Sequence, residues 1–506
     1  MATTPQATIT APVDNLDAVQ RITRRIDSIG ERSDGIFLGL SWYYLRLICM
    51  TGIGWAMDSM ETFVFIYCGG LIAKDIEMSV NQASFLGGAV FVGSFFGSFM
   101  FGSFADKYGR RPMFMVTLLI FLVGLGLCGA SWNITSLTCF RIMSGIGLGG
   151  ELPVASTLVQ ELAPKKTRGK IIVLLESFWS IGCMVAVWLA FGVAPHIGWR
   201  NTFYLCLIPV VYSAVIRFAI PESPKWLASV GRYDEAVAVV ESMERAHGLT
   251  PLTEAECVDV EEVKTMSTFQ IPEGHLSRIA LLFRKPFSVR TSVLWTLWFG
   301  ISLSYYAIFI YMPGLISANG GYNLNKNWRT MLIITLFQLP GYFSASILVE
   351  LLGRRMTLVI YLMASFASAI AMGYVEPTQG PIMASGSSLS FFLLGAWGCV
   401  YAYTPENYPT SIRGIGSAYP AGFSRIGAFI GPYLVPHMQA SWKMSLTSIL
   451  WVFGGVLIFI SIVVLVFGFE PRGKNIEDVD SYTKVATTDE DEKYVDVQTP
   501  GKRNAV

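Results

Sequence analysis

The sequence predicts an all-α membrane protein of twelve transmembrane helices, arranged as two pseudo-symmetric six-helix halves. Three observations carry this. Of 506 residues, 53% are hydrophobic and only 14% are charged, against roughly 25% charged in a soluble domain, so the excess apolar mass needs lipid as its solvent. Those apolar residues gather into twelve runs of about the 20 residues that a helix needs to cross the hydrocarbon. Finally, the segments after the second and fourth runs recur after the eighth and tenth.

In chain order, residues 1–44 read as a polar N-terminal tail with Arg21, Arg24, Arg25 and Arg32. No apolar run followed by a small-residue cleavage site occurs in it, so no cleaved signal peptide is expected. The first half, 45–221, holds runs near 45–72, 84–105, 112–130, 136–160, 171–194 and 201–220. Residues 222–288, with Arg232, Glu235, Glu241, Arg245, Glu261 and Lys264, are too charged to insert and form a central loop. The second half, 289–470, holds runs near 290–315, 330–352, 356–374, 387–404, 416–437 and 446–469. Residues 471–506, with Asp489-Glu490-Asp491-Glu492, read as a disordered, solvated tail.

Orientation follows from charge. With the N-terminus in the cytoplasm, only Lys74, Arg200, Lys326, Arg329 and Lys443 of the 37 Lys and Arg residues fall in segments on the opposite side. The positive-inside rule therefore places both termini and the central loop in the cytoplasm. Asn133-Ile134-Thr135 matches a glycosylation sequon, but its outer loop is only a few residues long, and it is expected to stay unmodified. Seven of the eight cysteines (Cys49, Cys68, Cys128, Cys139, Cys183, Cys206, Cys399) sit in or beside apolar runs and read as small core residues; Cys257 alone lies in a polar stretch.

The repeat is specific. Asp106-Lys107-Tyr108-Gly109-Arg110-Arg111 after the second span recurs as Glu350-Leu351-Leu352-Gly353-Arg354-Arg355 after the eighth, 244 positions on. Glu161, Pro164, Arg168 and Gly169 recur as Glu406, Pro409, Arg413 and Gly414, 245 positions on. Two independent matches at almost one offset mean duplicated halves, an architecture that places a substrate site near the midplane between them.

These residues also carry a family resemblance. Gly102-x3-Asp106-Lys107-x-Gly109-Arg110-Arg111 resembles the signature loop of the major facilitator superfamily. Arg141-x3-Gly145-x-Gly147-x-Gly149-Gly150-Glu151-x-Pro153 is similar to its fourth-span motif, and Pro221-Glu222-Ser223-Pro224-Lys225-Trp226-Leu227 to the sugar-porter sequence after span six. Within that superfamily, Gly54-Trp55-Ala56-Met57-Asp58-Ser59-Met60-Glu61, Gly149-Gly150-Glu151-Leu152-Pro153-Val154-Ala155 and Leu175-Glu176-Ser177-Phe178-Trp179 most resemble the branch of synaptic vesicle glycoprotein type transporters, bacterial nicotinate permeases and organic ion transporters. Sugar porters usually carry glutamines in spans five and seven; here those spans have none, which argues against a hexose substrate.

A charge at the bilayer centre costs about 2.5–3.5 kcal/mol on insertion scales, so each intramembrane charge is a functional candidate. Asp58 and Glu61 lie three residues apart on one face of span one, with Trp55 on the same stripe. Two carboxylates so close in low dielectric repel, which suits a proton carrier; the alternative is that one pairs with an arginine in the bundle. Arg425 falls about a third of the way into span eleven. The resemblance to organic ion transporters implies that a basic residue there accompanies an anionic substrate, and a guanidinium matches a carboxylate bidentately. The competing reading makes Arg425 the structural partner of Asp58 or Glu61.

In span seven, Tyr305 and Tyr306 are the aromatic residues expected to face substrate, where they suit a flat aromatic acid. Arg141 and Glu151 stand ~15 Å apart along span four and are not partners. Glu151 and Glu176 are expected to join Arg110, Arg168 or Arg413 in a cytoplasmic charge network. The resemblance implies that Asp106, Gly109, Arg110, Arg111, Glu350 and Arg354 form a cytoplasmic gate. Gly93, Gly97, Gly102, Gly145, Gly149 and Gly182 read as close helix contacts.

The sequence has no phosphate-cradling G-x4-G-K-[ST] loop, no metal-ligand spacing among its four histidines, and no hydrolytic Ser, His and acid cluster. No enzymatic activity, cofactor, metal or nucleic acid is expected. The sequence thus points to a secondary transporter, monomeric in the lipid bilayer, working by alternating access. It is expected to couple protons on Asp58 or Glu61 to an organic anion such as an aromatic or heterocyclic carboxylate held near Arg425. The competing readings are an organic cation or zwitterion bound by the acidic pair, and a receptor that keeps the fold without transporting.

Overall fold

Each expected span carries a helix. The structure is a computed structural model describing residues 15–33, 39–217, 220–252, 275–318, 327–408 and 410–471; residues 253–274 of the central loop, with Cys257, and the acidic tail from 472 lie outside the described residues. Helix α1 (Asn15–Arg32) comes first. The first half comprises α2 (Trp42–Tyr67), bent by 51° into α3 (Gly69–Ile76), then α4 (Val80–Tyr108), α5 (Arg110–Gly129) and α6 (Ile134–Leu162). Next, α7 (Arg168–Val187) runs through a π turn at Trp188–Val193 into α8 (Ala194–Ile197), and α9 (Trp199–Arg217) completes the half. The connecting segment holds α10 (Pro224–Ser229), α11 (Tyr233–Ala246) and α12 (His275–Leu282). In the second half, α13 (Ser288–Ala318) precedes α14 (Trp328–Leu336) and α15 (Gln338–Leu352), which share one span; α16 (Arg354–Tyr374), α17 (Gln379–Tyr403), α18 (Thr410–Ala440) and α19 (Leu446–Phe467) follow.

Among the described residues, nine of these segments are by themselves long and apolar enough to cross a membrane, and ten with the bent α2–α3 pair. Helices α9 and α18 complete the twelve by position. Arg413, Arg425, His437 and the prolines Pro420, Pro432 and Pro436 dilute the apolar character of α18.

Local sequence explains where helices start and stop. Ser79 and Gln82 form a capping box at the start of α4, and the Asn133 side chain accepts from the Ser136 N–H (2.7 Å) to cap α6. The duplicated glycines set the sharpest breaks: Gly109 (φ +102°) divides α4 from α5, and Gly353 (φ +87°) divides α15 from α16. Both angles favour glycine. A Cβ at either place would also lie close to a carboxylate, 2.6 Å from Glu222 at Gly109 and 2.8 Å from Glu470 at Gly353.

Within the first half, α4 and α6 approach until backbones touch. A methyl group at Gly93, Gly97, Gly145 or Gly149 would collide with the carbonyl oxygens of Ile142, Ile146, Val90 and Ser94 respectively, as small-residue packing of membrane helices requires. Gly182 meets the Ala56 carbonyl on α2 in the same way, whereas a Cβ at Gly102 would have ordinary room, 3.6 Å from Ala418. Cys49 and Cys139 are exposed rather than core residues; the other five described cysteines are buried.

The halves meet along two related pairs, α4 with α18 and α7 with α15. Phe99 packs edge-on against Tyr419 (4.7 Å) and Phe85 against Phe429 (5.8 Å), while a Cβ at Gly169 would lie 3.5 Å from Glu350 Oε1. Across α2 and α13, Phe63 lies 6.3 Å from Tyr305.

Part of the polar N-terminal tail is an ordered helix. The stripe Ala18, Ile22, Ile26 and Ile29 of α1 is buried, at the three- and four-residue steps of an amphipathic helix. Arg25 makes a buried bidentate bond to Glu244 on α11 (2.7 and 3.0 Å). Asp27 accepts from the Lys165 N–H between α6 and α7 (2.7 Å). This end of the bundle, where α1, α10 and α11 pack, is the basic end.

Candidate functional site

Midway through the bundle, polar side chains from both halves face one another across the seam. On the first-half side, Trp55 of α2 donates its indole N–H to Glu176 Oε2 of α7 (3.1 Å). On the other, the Arg425 guanidinium of α18 sits beside the hydroxyls of Tyr306 on α13 and Tyr401 on α17. Glu176 and Arg425 are within electrostatic reach of each other. Both are buried, and among the described residues neither Glu176 Oε1 nor Arg425 Nε has a hydrogen-bond partner. Such atoms are costly in low dielectric unless something arrives to satisfy them.

Aromatic rings wall this space. Tyr401 packs against Trp55 (6.1 Å) and Trp298 (4.9 Å), and Tyr306 against Phe91 (4.5 Å). Tyr305 accepts from the Trp179 indole N–H (2.9 Å), packs tilted against Phe309 (5.1 Å) and meets Trp397 edge-on (6.1 Å). Chemically, the arrangement is one guanidinium and one carboxylate in a cage of flat rings.

The two carboxylates of α2 divide between different surroundings. Glu61 forms a fully buried ion pair with Arg141 of α6, and the Arg141 guanidinium lies over the Phe65 ring (3.9 Å). Asp58, also fully buried, lies within electrostatic reach of Tyr306. Of the residues expected at the midplane, Trp55, Asp58, Tyr306 and Arg425 are thus brought together, while Glu61 turns to α6 and Tyr305 to Trp179. Glu176, expected with Arg110, Arg168 or Arg413, bonds Trp55 instead, because its position on α7 places it at the midplane rather than at the basic end. Glu151 is buried in α6.

At the basic end the repeat becomes a pair of matching charge clusters. Arg110 bridges Asp106 (2.9 Å) and both oxygens of Glu161 (3.2 Å each), and Glu222 accepts from the backbone N–H groups of Arg110 (3.0 Å) and Arg111 (3.2 Å). Arg354 bridges Glu350 (3.4 Å) and Glu406 (2.8 Å), and Glu470 accepts from the N–H groups of Arg354 (3.2 Å) and Arg355 (2.9 Å). Carboxylates at these helix starts satisfy free N–H groups and meet the positive end of the helix dipole. The Arg168 side chain donates to the Ala163 carbonyl, and that of Arg413 to the carbonyls of Pro405 and Tyr408.

Comparison with known proteins agrees with this architecture. The family profile described as "Sugar (and other) transporter" matches residues 52–482. This chain belongs to that family. It is an integral, multi-pass membrane transporter of the major facilitator type, and not an enzyme. The transporter is 36% identical over 442 residues to the "Niacin transporter NiaP" of Acinetobacter baylyi, covering 87% of this chain and 98% of that one. It is 33% identical over 432 residues to the "Putative niacin/nicotinamide transporter NiaP" of Bacillus subtilis, covering 85% and 98%. Among solved structures, the proton:xylose symporter XylE bound to 6-bromo-6-deoxy-D-glucose superposes with a TM-score of 0.69 at 16% identity, covering 87% of the transporter and 98% of that chain.

Sequence reasoning about the transporter missed Tyr401, Trp179 and Trp397, which sit in apolar runs where an aromatic residue carries no signal of its own. Arg141 was visible as an intramembrane charge, but nothing in the sequence names its partner. Glu470 was findable: it closes the last span as Glu222 closes the sixth, at an offset of 248 rather than 244.

Proposed function

We propose that the transporter carries a small aromatic or heterocyclic carboxylate of the nicotinate class, by proton-coupled alternating access with the basic end toward the cytoplasm. One observation carries the reading: the Arg425 guanidinium is held between the Tyr306 and Tyr401 hydroxyls, in an aromatic cage on the seam between the halves. A guanidinium fork matches a carboxylate, and the rings of Trp55, Tyr306 and Tyr401 match a flat heterocycle. The niacin transporters among its relatives support the same substrate class.

Coupling follows from crowding of like charge. A substrate carboxylate at Arg425 enters a space already flanked by Glu176 and Asp58, and adding an anion there favours neutralising one by a proton. Asp58 and Glu61 are the assigned proton sites; a proton on Glu61 would release Arg141. Symport requires that proton and anion together favour closure more than either alone. The clusters around Arg110 and Arg354 act as the gate, held when the basic end is shut and broken when it opens.

The free Oε1 of Glu176 in the same cage favours one second reading, an organic cation held by Glu176 and Asp58 with Arg425 structural. Uptake into proteoliposomes of nicotinate, benzoate, choline and glucose, with and without an inward proton gradient, separates the two. Accumulation of nicotinate or benzoate only with the gradient is expected. Choline uptake would transfer the site to the carboxylates, and no uptake of any of the four would count against the nicotinate class.

A further inference from the structure

The tryptophan side chain has one polar atom, an indole N–H that can only donate. Four tryptophans, one each from α2, α7, α13 and α17, gather around the seam. Three of them have an acceptor: Trp55 bonds Glu176 Oε2 (3.1 Å), Trp179 bonds the Tyr305 hydroxyl (2.9 Å) and Trp298 bonds Thr404 Oγ1 (2.8 Å). The fourth, Trp397 of α17, is only 7% exposed, and among the described residues its indole N–H has no acceptor. A donor buried in this way costs free energy until an acceptor reaches it.

The surroundings of Trp397 define what that acceptor must be. Trp397 lies one turn before Tyr401 on the same face of α17, with the two rings 6.0 Å apart. It meets Trp298 (5.6 Å) and Tyr305 (6.1 Å) edge-on, and Trp298 in turn meets Tyr401 (4.9 Å). These rings form one wall of the cage, and the Arg425 guanidinium sits at the Tyr401 hydroxyl. The separation of the Trp397 and Tyr401 rings is roughly what a six-membered ring puts between a carboxylate and a ring nitrogen. The cage therefore offers a donor at each end: a guanidinium fork for a carboxylate, and an indole N–H for a lone pair.

We propose that Trp397 is a specificity residue, donating its indole N–H to the ring nitrogen of an N-heteroaromatic carboxylate whose carboxylate is held by Arg425. This role rests on the carboxylate reading of Arg425 and narrows it. Benzoate has the outline of nicotinate but places a C–H where the pyridine ring has its lone pair, so it leaves the indole N–H unpaired. An alkylated ring nitrogen, which has no lone pair, leaves the same donor unpaired.

The test measures equilibrium binding of nicotinate and benzoate to the purified full-length protein, as wild type, Trp397→Phe and Arg425→Ala. Wild type should favour nicotinate about tenfold, the effect of one hydrogen bond and of the unpaired donor it prevents. Trp397→Phe keeps an aromatic ring without the donor, and should bring the ratio near one by weakening nicotinate more than benzoate. Arg425→Ala should weaken both acids. Should Trp397→Phe not fold, the wild type is given nicotinate fluorinated next to the ring nitrogen and benzoate fluorinated at the matching carbon. Fluorine weakens the nitrogen as an acceptor, so the preference must shrink below that of the parent pair. Equal wild-type affinities for nicotinate and benzoate, both dependent on Arg425, would overturn the role of Trp397 and leave the carboxylate reading standing. A preference that survives Trp397→Phe, equal weakening of both acids by it, or an undiminished preference in the fluorinated pair would overturn that role as well. Binding of neither acid would overturn both.

Discussion

Glu470 stands to Arg354 as Glu222 stands to Arg110: each carboxylate, from the end of its half, accepts from the backbone N–H of the arginine that follows the duplicated glycine. The glycine leaves the room each carboxylate occupies, since a Cβ at Gly109 or Gly353 would lie within 3 Å of it. The two halves thus close their charge clusters with one device, built from residues more than a hundred positions away from the arginines they serve.

Removing either carboxylate should change how fast the bundle rocks rather than what it binds. For Glu222→Ala and Glu470→Ala, maximal nicotinate uptake is predicted to fall about tenfold with KM moved by less than about twofold, the pattern of a lost conformational contact. Initial-rate uptake in proteoliposomes measures both. A large KM change at constant maximal rate would place these residues at the substrate instead.

The pair of Glu61 and Arg141 predicts an asymmetry between single and double variants. Deleting one member of a buried ion pair leaves the other charge uncompensated, at a cost of about 3–5 kcal/mol, whereas neutralising both removes the desolvation cost as well. Arg141→Met should therefore lower the apparent Tm strongly, and Arg141→Met combined with Glu61→Gln should recover much of the loss. Additive losses in the double variant would show that the two side chains do not act as a pair.

Lys225 predicts a slope in stability with pH. Its folded value of about 7 lies below the ordinary lysine value of 10.5, so between the two the unfolded chain holds a proton that the folded chain lacks. Stability should rise with pH through that window, and the full cost should be present below about 7. In phosphate-free buffer, the apparent Tm of wild type minus that of Lys225→Gln should increase from about pH 7 to about pH 9. A flat difference would mean that Lys225 is charged in both states.

Much of the fold was legible in the sequence because membrane helices must satisfy their own backbone and therefore announce themselves as long apolar runs. The repeat gave the two halves, and with them the clusters around Arg110 and Arg354. Helix α1 escaped because its apolar stripe, Ala18 to Ile29, is diluted by arginines in a short segment whose partners, α10 and α11, come two hundred residues later. The midplane was legible only in part. Intramembrane charges mark themselves by their cost, so Asp58, Glu61, Arg425 and Glu176 stood out, but their partners depend on helix rotation. That is why Glu176 was read into the gate, and why the alternative of an arginine partner for Asp58 or Glu61 could not be narrowed to Glu61 with Arg141. Tyr401 gave no signal, since an aromatic residue in an apolar run looks the same whether it packs against a helix or faces a substrate.

The central claim is that Arg425 clamps a carboxylate, and the neutral amide of the same ring tests it most directly. Binding of nicotinate and nicotinamide to the purified protein should differ by about tenfold or more in favour of nicotinate, and Arg425→Ala should erase that preference by weakening nicotinate alone. Equal affinities in the wild type, or a preference for nicotinate that survives Arg425→Ala, would contradict the assignment.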